Sequence, residues 1–229
     1  MVLTVENLSV SFRSIKALNQ VSFGITSGIY GLVGENGAGK TTLFRSLLGL
    51  QQYSGTIQRE GITHVGYVPQ KFESLKDLNL TDTLLYFTCL QNIPRKMRAG
   101  IVEDALESVN LTEDRSKKVQ QLSGGMLRRL GIAQALINNP ELLIMDEPTA
   151  GLDPTERLRF REIIEKIAPN RIILISTHEI HELEHICKQM LFLHKGQLVC
   201  MDTLENLSKS FQTTDMEEVY FRLIQGEAI

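Results

Sequence analysis

Residues 34–42 read Gly34-Glu35-Asn36-Gly37-Ala38-Gly39-Lys40-Thr41-Thr42 and fit G-x-x-x-x-G-K-[ST] in full. Glycines in such a loop let the backbone wrap around an anion, so that several N–H groups and the positive end of the following helix converge on phosphates. A lysine at position 40 can then reach the β- and γ-phosphates of a nucleotide, and the Thr41 hydroxyl can ligate Mg²⁺. The loop needs a strand before it and a helix after it. The apolar run Ile29 to Val33 and the helical spacing of Leu43, Leu47 and Leu50 supply both. A glycine-rich turn that merely precedes a helix is the plainer alternative, and the surrounding pattern argues against it.

Outward from the loop, strand-like and helix-like pieces alternate. Residues 2–12 and 17–25 carry the β-branched and aromatic character of two antiparallel strands joined at Arg13-Ser14. Buried-type strands are expected at 64–68, 142–146 and 172–177, and a hairpin turning at Lys195-Gly196 over 190–199. Strands of this kind separated by helices predict a mostly parallel sheet covered on both faces. Between about 74 and 137 strand signals give way to amphipathic stretches, Thr81 to Leu90 and Ile101 to Val109. The expected organisation is a single α/β domain: 1–73 and 138–229 build the β layer and core, and 74–137 form an inserted helical subdomain.

Two further stretches bear on chemistry. Leu142 to Met145 is an apolar strand that delivers Asp146 and Glu147 at its C-terminal end. Asp146 can hold Mg²⁺ through water, and Glu147 can polarise an attacking water; a strand simply meeting solvent is the plainer reading. Leu122-Ser123-Gly124-Gly125-Met126 opens a helix with apolar positions 126, 130, 133 and 137. It offers a second anion-binding helix start, or merely an N-cap at Ser123. A head-to-tail pair of subunits, identical or different, would explain two phosphate grips in one chain. The base-reading N-K-x-D of G-protein-type NTPases is absent from the sequence.

Bulk properties narrow the partners. The 229 residues are 42% hydrophobic and 22% charged, enough for one sizeable core. A net charge of −3, with 24 Lys and Arg scattered along the chain, predicts no nucleic-acid partner. The apolar runs fall far short of the roughly 20 residues that span a bilayer, and the N-terminus lacks a secretory pattern. A soluble, cytoplasmic chain without direct membrane insertion is expected. Cys89, Cys187 and Cys200 are widely spaced, as suits ordinary thiols in a reducing compartment.

His181-Glu182-Leu183-Glu184-His185 matches the H-E-x-x-H of zinc proteases, with Glu205 as a conceivable distal ligand. If 179–187 form a helix, Ile180, Leu183, Ile186 and Cys187 share one side, and His181 and His185 point to solvent. A zinc metalloprotease is therefore the minor alternative.

Taken in order, these motifs resemble those of the nucleotide-binding subunits of ABC transporters over nearly the whole chain. GENGAGKTT resembles the Walker A motif, LLIMDE the Walker B motif and LSGGM the LSGGQ signature. Tyr67-Val68-Pro69-Gln70 is similar to the Q-loop, Gly151-Leu152-Asp153 to the D-loop and Ser176-Thr177-His178 to the H-loop. The resemblance implies a P-loop NTPase fold and an ATPase that takes ATP with Mg²⁺. It also implies that Gln70 senses Mg²⁺ and the water, that His178 contacts the γ-phosphate and that Asp153 lies at a dimer interface. Phe12 stands where the family usually has a Tyr that stacks on adenine, and a Phe ring can stack as well. Met126 replaces the usual fifth-position Gln, leaving Ser123, Gly124 and Gly125 for the main phosphate contacts.

The implied partners are transmembrane permease subunits at the cytoplasmic face of the membrane and a second ATP-binding subunit. The stretches 80–87 and 216–220, with about 30 residues after Val199, look similar to exporter-type cassettes without a long regulatory domain. A non-transport switch module of the same fold is the alternative; such relatives usually carry two cassettes or a long coiled-coil insertion.

Overall fold

The computed structural model describes residues 1–72 and 75–226. Two β-sheets stack across an apolar layer. In the first, β1 (Val2–Phe12) pairs antiparallel with β2 (Ile15–Thr26) on one side and β4 (Ser54–Glu60) on the other. The second has the order β5-β6-β7-β3-β8-β9. Here β3 (Gly28–Val33), β5 (Val65–Val68), β6 (Leu142–Asp146), β7 (Ile172–Thr177) and β8 (Gln189–His194) run parallel, and β9 (Gln197–Asp202) returns antiparallel.

Side chains alternate across a strand, so a parallel strand buried on both faces can be apolar throughout. Leu142, Ile144, Ile172 and Leu174 face the antiparallel layer, clustering with its Leu3, Val5 and Leu18 and with Phe44 of the helix that follows β3. Their neighbours Leu143, Met145, Ile173 and Ile175 join a separate cluster with the helices on the far side. The doubled use of each strand explains why these segments read as continuous hydrophobic runs.

Between β5 and β6 lie α2 (Leu80–Leu90), α3 (Arg95–Ser108) and α4 (Gly124–Leu136), where the strand signals fade. Leu84, Val102, Leu106 and Leu130 fasten them to the core beside Ile163 and Ile164 of α5 (Pro154–Ile167). The expected subdomain boundary between residues 73 and 74 lies outside the described residues.

One expectation needs correction, and three elements stand outside the expected set. β4 carries no strand signature because its residues are exposed except Ile57, which is half-buried; backbone pairing to β1 holds it. The C-terminal α6 (Leu204–Phe211) and α7 (Met216–Ile224) were not anticipated, although Thr203 and Asp215 cap them in the ordinary way. The expected helix at 179–187 is a single 3-10 turn, Ile180–Glu182, followed by further turns. Thr177 Oγ1 accepts the Glu179 N–H at 2.9 Å, and such side-chain bonds compete with a regular helical ladder.

Glu141, just ahead of β6, pins the approach to β5. Its carboxylate accepts N–H groups of His64 at 2.8 Å and Thr63 at 3.1 Å, and the Thr63 hydroxyl at 3.0 Å. These bonds, led by the His64 N–H, hold its pKa at about 2 against an ordinary 4.5. A depressed carboxyl pKa stabilises the fold fully above the unfolded value and loses that contribution as pH falls through the folded one. Glu141→Gln is expected to cost about 1–3 kcal/mol at pH 7. Urea midpoints should converge with those of the unaltered protein as pH drops below 4.5; a gap unchanged down to pH 3 would contradict this.

Candidate functional site

Loop 34–42 leaves the C-terminal end of β3 and enters α1 (Lys40–Leu47). Gly39 takes φ 109°, and a Cβ there would lie 2.6 Å from the Ala17 carbonyl oxygen. On Gly34 a Cβ would run into the Leu193 carbonyl, so neither glycine can be replaced without moving backbone. No side chain caps the start of α1, and the first intrahelical bond comes from the Leu43 N–H to the Gly39 carbonyl. The N–H groups of Lys40, Thr41 and Thr42 are therefore the uncompensated donors of a helix N-terminus, pointed where an anion would be held.

The neighbouring strand ends bring the other groups. Asp146, at the end of β6, accepts the Thr41 hydroxyl at 2.9 Å on one oxygen and the Ser176 hydroxyl at 2.7 Å on the other. Two hard oxygen donors thus stand side by side. Among the described residues there is no cluster of three or more His, Cys, Asp or Glu suited to a metal. A Thr–Asp pair fits Mg²⁺, which is usually held by one or two protein oxygens together with water and substrate phosphates.

Glu147 follows at φ 46°, a backbone region unfavourable for a side chain of its size, with its N–H donated to Ser176 Oγ at 3.0 Å. Its carboxylate is nearly buried and meets three groups from three other parts of the chain. Gln70 Nε2, beyond β5, donates to it at 2.9 Å, Lys40 Nζ lies 3.5 Å away, and His178 Nδ1, beyond β7, lies 3.4 Å away. Lys40 also donates to the carbonyls of Gly34 at 2.5 Å and Glu35 at 3.3 Å. Burial pushes the Lys40 pKa below its ordinary 10.5, although the Glu147 carboxylate pulls the other way.

Gln70, Lys40, Asp146, Glu147 and His178 thus gather at the C-terminal ends of β5, β3, β6 and β7, the edge of a parallel sheet where ligands bind. A cleft of about 210 Å³ opens at this edge, lined by Ala17, Glu35, Asn36, Gly37, Gly39, Lys40, Thr41, Thr42, Gln70 and Glu147; Asp146 and His178 are not among its lining residues. Ala38 is buried beneath the loop. Phe12 is not among the lining residues; it sits at the tip of the β1–β2 hairpin, 45% exposed, opposite Ile15.

Ser123 and Gly124 are exposed at the start of α4, where the Ser123 hydroxyl accepts the Met126 N–H at 3.2 Å. Gly125 is buried, and a Cβ there would collide with the Glu156 carboxylate. Asp153 caps α5 by accepting the Glu156 N–H at 2.9 Å. These four residues are not among those that line the cleft over loop 34–42.

Some participants escaped the sequence reading. Arg128 of α4 donates to the carbonyls of Pro69 at 2.9 Å and Gln70 at 3.0 Å, tying the helical segment to the loop that carries Gln70. The Tyr220 hydroxyl of α7 receives the Glu35 N–H at 3.4 Å, and the ring stacks on Phe192. Arg128 belongs to no motif, and Tyr220 lies in the stretch 216–220 without having been assigned a contact at the site; both contacts join segments far apart in the chain.

The H-E-x-x-H histidines form no comparable centre. His181 is exposed beside Glu184 and Glu217, at 3.3 Å and 3.4 Å, and His185 is exposed. Glu205 pairs with Lys209 at 2.6 Å on α6.

A phosphate-binding loop, a Thr–Asp pair and a carboxylate poised at adjoining strand ends define a P-loop nucleotide-binding protein. Comparison with known proteins narrows the class. A family model described as ABC transporter matches residues 18–150. The ABC transporter ATP-binding protein YxlF of Bacillus subtilis is 34% identical over 218 residues, covering 92% of this chain and 74% of the relative. The Nod factor export ATP-binding protein I of Burkholderia lata is 36% identical, covering 93% and 75% respectively. A solved ATP binding subunit of an ABC transporter superposes with a TM-score of 0.84 at 26% identity, covering 98% of this chain and all of the other. The chain belongs to the ABC transporter family, among its ATP-binding subunits. No helix among the described residues is long and apolar enough to cross a membrane.

Proposed function

We propose that this chain hydrolyses ATP to ADP and phosphate and so powers export through separate transmembrane permease subunits, working at the cytoplasmic face of the membrane. The observation that carries the reading is the position of Glu147. This nearly buried carboxylate lies within reach of Lys40, Gln70 and His178 and adjoins the Thr41–Asp146 pair.

In this reading the N–H groups of loop 34–42 and Lys40 bind the phosphates, and Phe12 stacks on the adenine. Thr41, Asp146 and Gln70 would hold Mg²⁺, which when bound offsets phosphate charge. Glu147 accepts a proton from the water as its oxygen bonds to the γ-phosphorus and the bond to the ADP oxygen breaks. His178 donates to the γ-phosphate and steadies the developing charge.

Ser123, Gly124, Gly125 and Asp153 serve the nucleotide of a partner subunit. Their distance in sequence from loop 34–42 and the exposure of Ser123, Gly124 and Asp153 support that role. Both half-sites are present in this chain, so two copies arranged head to tail would suffice. The segment 74–137 is taken as a helical subdomain that pivots on the core, with Gln70 and Arg128 at the joint. Tyr86, Leu90 and Met97, each exposed by more than 40%, give it an apolar surface for the permease. The export direction rests on similarity to Nod factor export proteins.

Affinity purification of the tagged chain from native membranes in mild detergent tests the assignment. A polytopic membrane protein should accompany it, and ATP turnover of the complex should exceed that of the isolated chain. Quantitative recovery from the soluble fraction without such a partner would overturn it.

A further inference from the structure

Glu182 lies inside the H-E-x-x-H stretch, yet it does the opposite of its flanking histidines. Its side chain is 4% exposed, whereas that of His181 is 63% exposed. A buried carboxylate needs partners. Glu182 Oε2 accepts the hydroxyl of Thr149 and, at 3.0 Å, that of Thr177. Its Oε1 makes no hydrogen bond and faces Arg157 Nη1 at 3.3 Å.

Each partner sits beside a functional loop. Thr177 precedes His178 directly. Thr149 lies two residues after Glu147, and its carbonyl accepts the Leu152 N–H at 3.1 Å. Arg157, in the first turn of α5, donates Nε–H to the Leu152 carbonyl at 3.1 Å and also reaches Glu179 at 3.4 Å. One buried carboxylate therefore ties the loop carrying His178 to the stretch running from Glu147 to Asp153, at Thr149 directly and at Leu152 through Arg157. The chemistry uses neither Glu182 nor Arg157.

We infer that Glu182 and Arg157 are positioning residues that set His178 and the 147–153 loop relative to each other, so that the two move as one unit during ATP turnover. The inference rests on the proposed ATPase function. It predicts that loosening this strap misplaces His178 and Glu147 while the phosphate loop, on the other side of the cleft, keeps its grip on ATP.

The test compares Glu182→Gln, Arg157→Met and His178→Ala, singly and combined, in the full chain at a temperature well below unfolding. Turnover and ATP affinity are measured separately. Glu182→Gln should lower kcat by about 10- to 100-fold, the scale of a misplaced catalytic group, with the ATP dissociation constant within about twofold. Because Glu182 acts through both His178 and Glu147, adding Glu182→Gln to His178→Ala should cost less than the two single losses multiplied together, a non-additivity that a purely structural role would not produce. A kcat within twofold of the unaltered protein, or full additivity with His178→Ala, would overturn the inference. Should Glu182→Gln fail to fold, half-exposed Arg157 gives the second route: Arg157→Met is expected to lower kcat several-fold at constant affinity, and unchanged kcat would overturn it. An unaltered chain that binds ATP without hydrolysing it would overturn the functional reading and this inference with it. A hydrolysing chain with insensitive variants would overturn the inference alone.

Discussion

Lys40→Met should weaken ATP binding by about 100-fold or more, the loss of a charge-assisted phosphate contact in a partly dry site, and abolish measurable turnover. The unliganded fold should not suffer in proportion. Lys40 is 6% exposed, and burial lowers its pKa, so the fold disfavours the ammonium at neutral pH; that cost eases only as pH rises through the folded value. Methionine keeps the apolar stem and removes the charge, while Gln70 and His178 remain as partners for Glu147. The melting temperature without nucleotide is therefore expected to hold or rise. Calorimetric ATP titration and thermal unfolding of the same sample check both halves. Near-normal ATP affinity would remove Lys40 from the phosphate site.

Glu147→Gln is expected to behave differently, cutting turnover by about 10²- to 10⁴-fold while leaving ATP affinity nearly intact. The amide preserves the shape of the side chain but cannot accept the proton of an attacking water. Its oxygen can still accept from Gln70 Nε2, which lies 2.9 Å from the carboxylate in the unaltered protein. Because the 3.5 Å pairing with Lys40 is weakened, ATP binding should hold or improve slightly. Phosphate release at saturating ATP and Mg²⁺ reads this directly. Turnover within a few-fold of the unaltered protein would assign the base elsewhere.

The two variants test residues whose legibility in the sequence differed in kind. Lys40 stands in a pattern that backbone geometry makes nearly unique: Gly34 and Gly39 are required by carbonyls within van der Waals reach. Glu147 was readable because a strand buried on both faces must be apolar until it ends, so its terminal carboxylates stand out. His178 follows β7, whose own last residues Ser176 and Thr177 are polar, and only the resemblance of Ser176-Thr177-His178 to the H-loop singled it out.

What stayed hidden lacks a local pattern. β4 is held by backbone bonds to β1 and shows Ile57 alone half-buried, so no alternation marks it. Arg128 and Tyr220 act through main-chain atoms of Pro69, Gln70 and Glu35, and any sequence supplies such atoms. The turn at 180–182 misled for a different reason. Ile180, Leu183 and Ile186 have helical spacing, but Leu183 and Ile186 donate to carbonyls three residues back, in the tighter bonding of successive turns. His181 and His185 are exposed all the same, while Glu182 turns inward to Thr149 and Thr177. α6 and α7 were readable in principle, since Leu204, Leu207 and Phe211, and Met216, Val219 and Leu223, carry helical spacing behind Thr203 and Asp215.

In the proposed working state, ATP is enclosed between loop 34–42 of one copy and residues 123–125 of another. The measurement that tests it most directly is the light-scattering mass of Glu147→Gln with and without ATP and Mg²⁺, bound nucleotide being counted in the same peak. The monomer mass is expected without ATP and twice that mass with ATP, at two nucleotides per dimer. A species of monomer mass carrying one ATP per chain would contradict it.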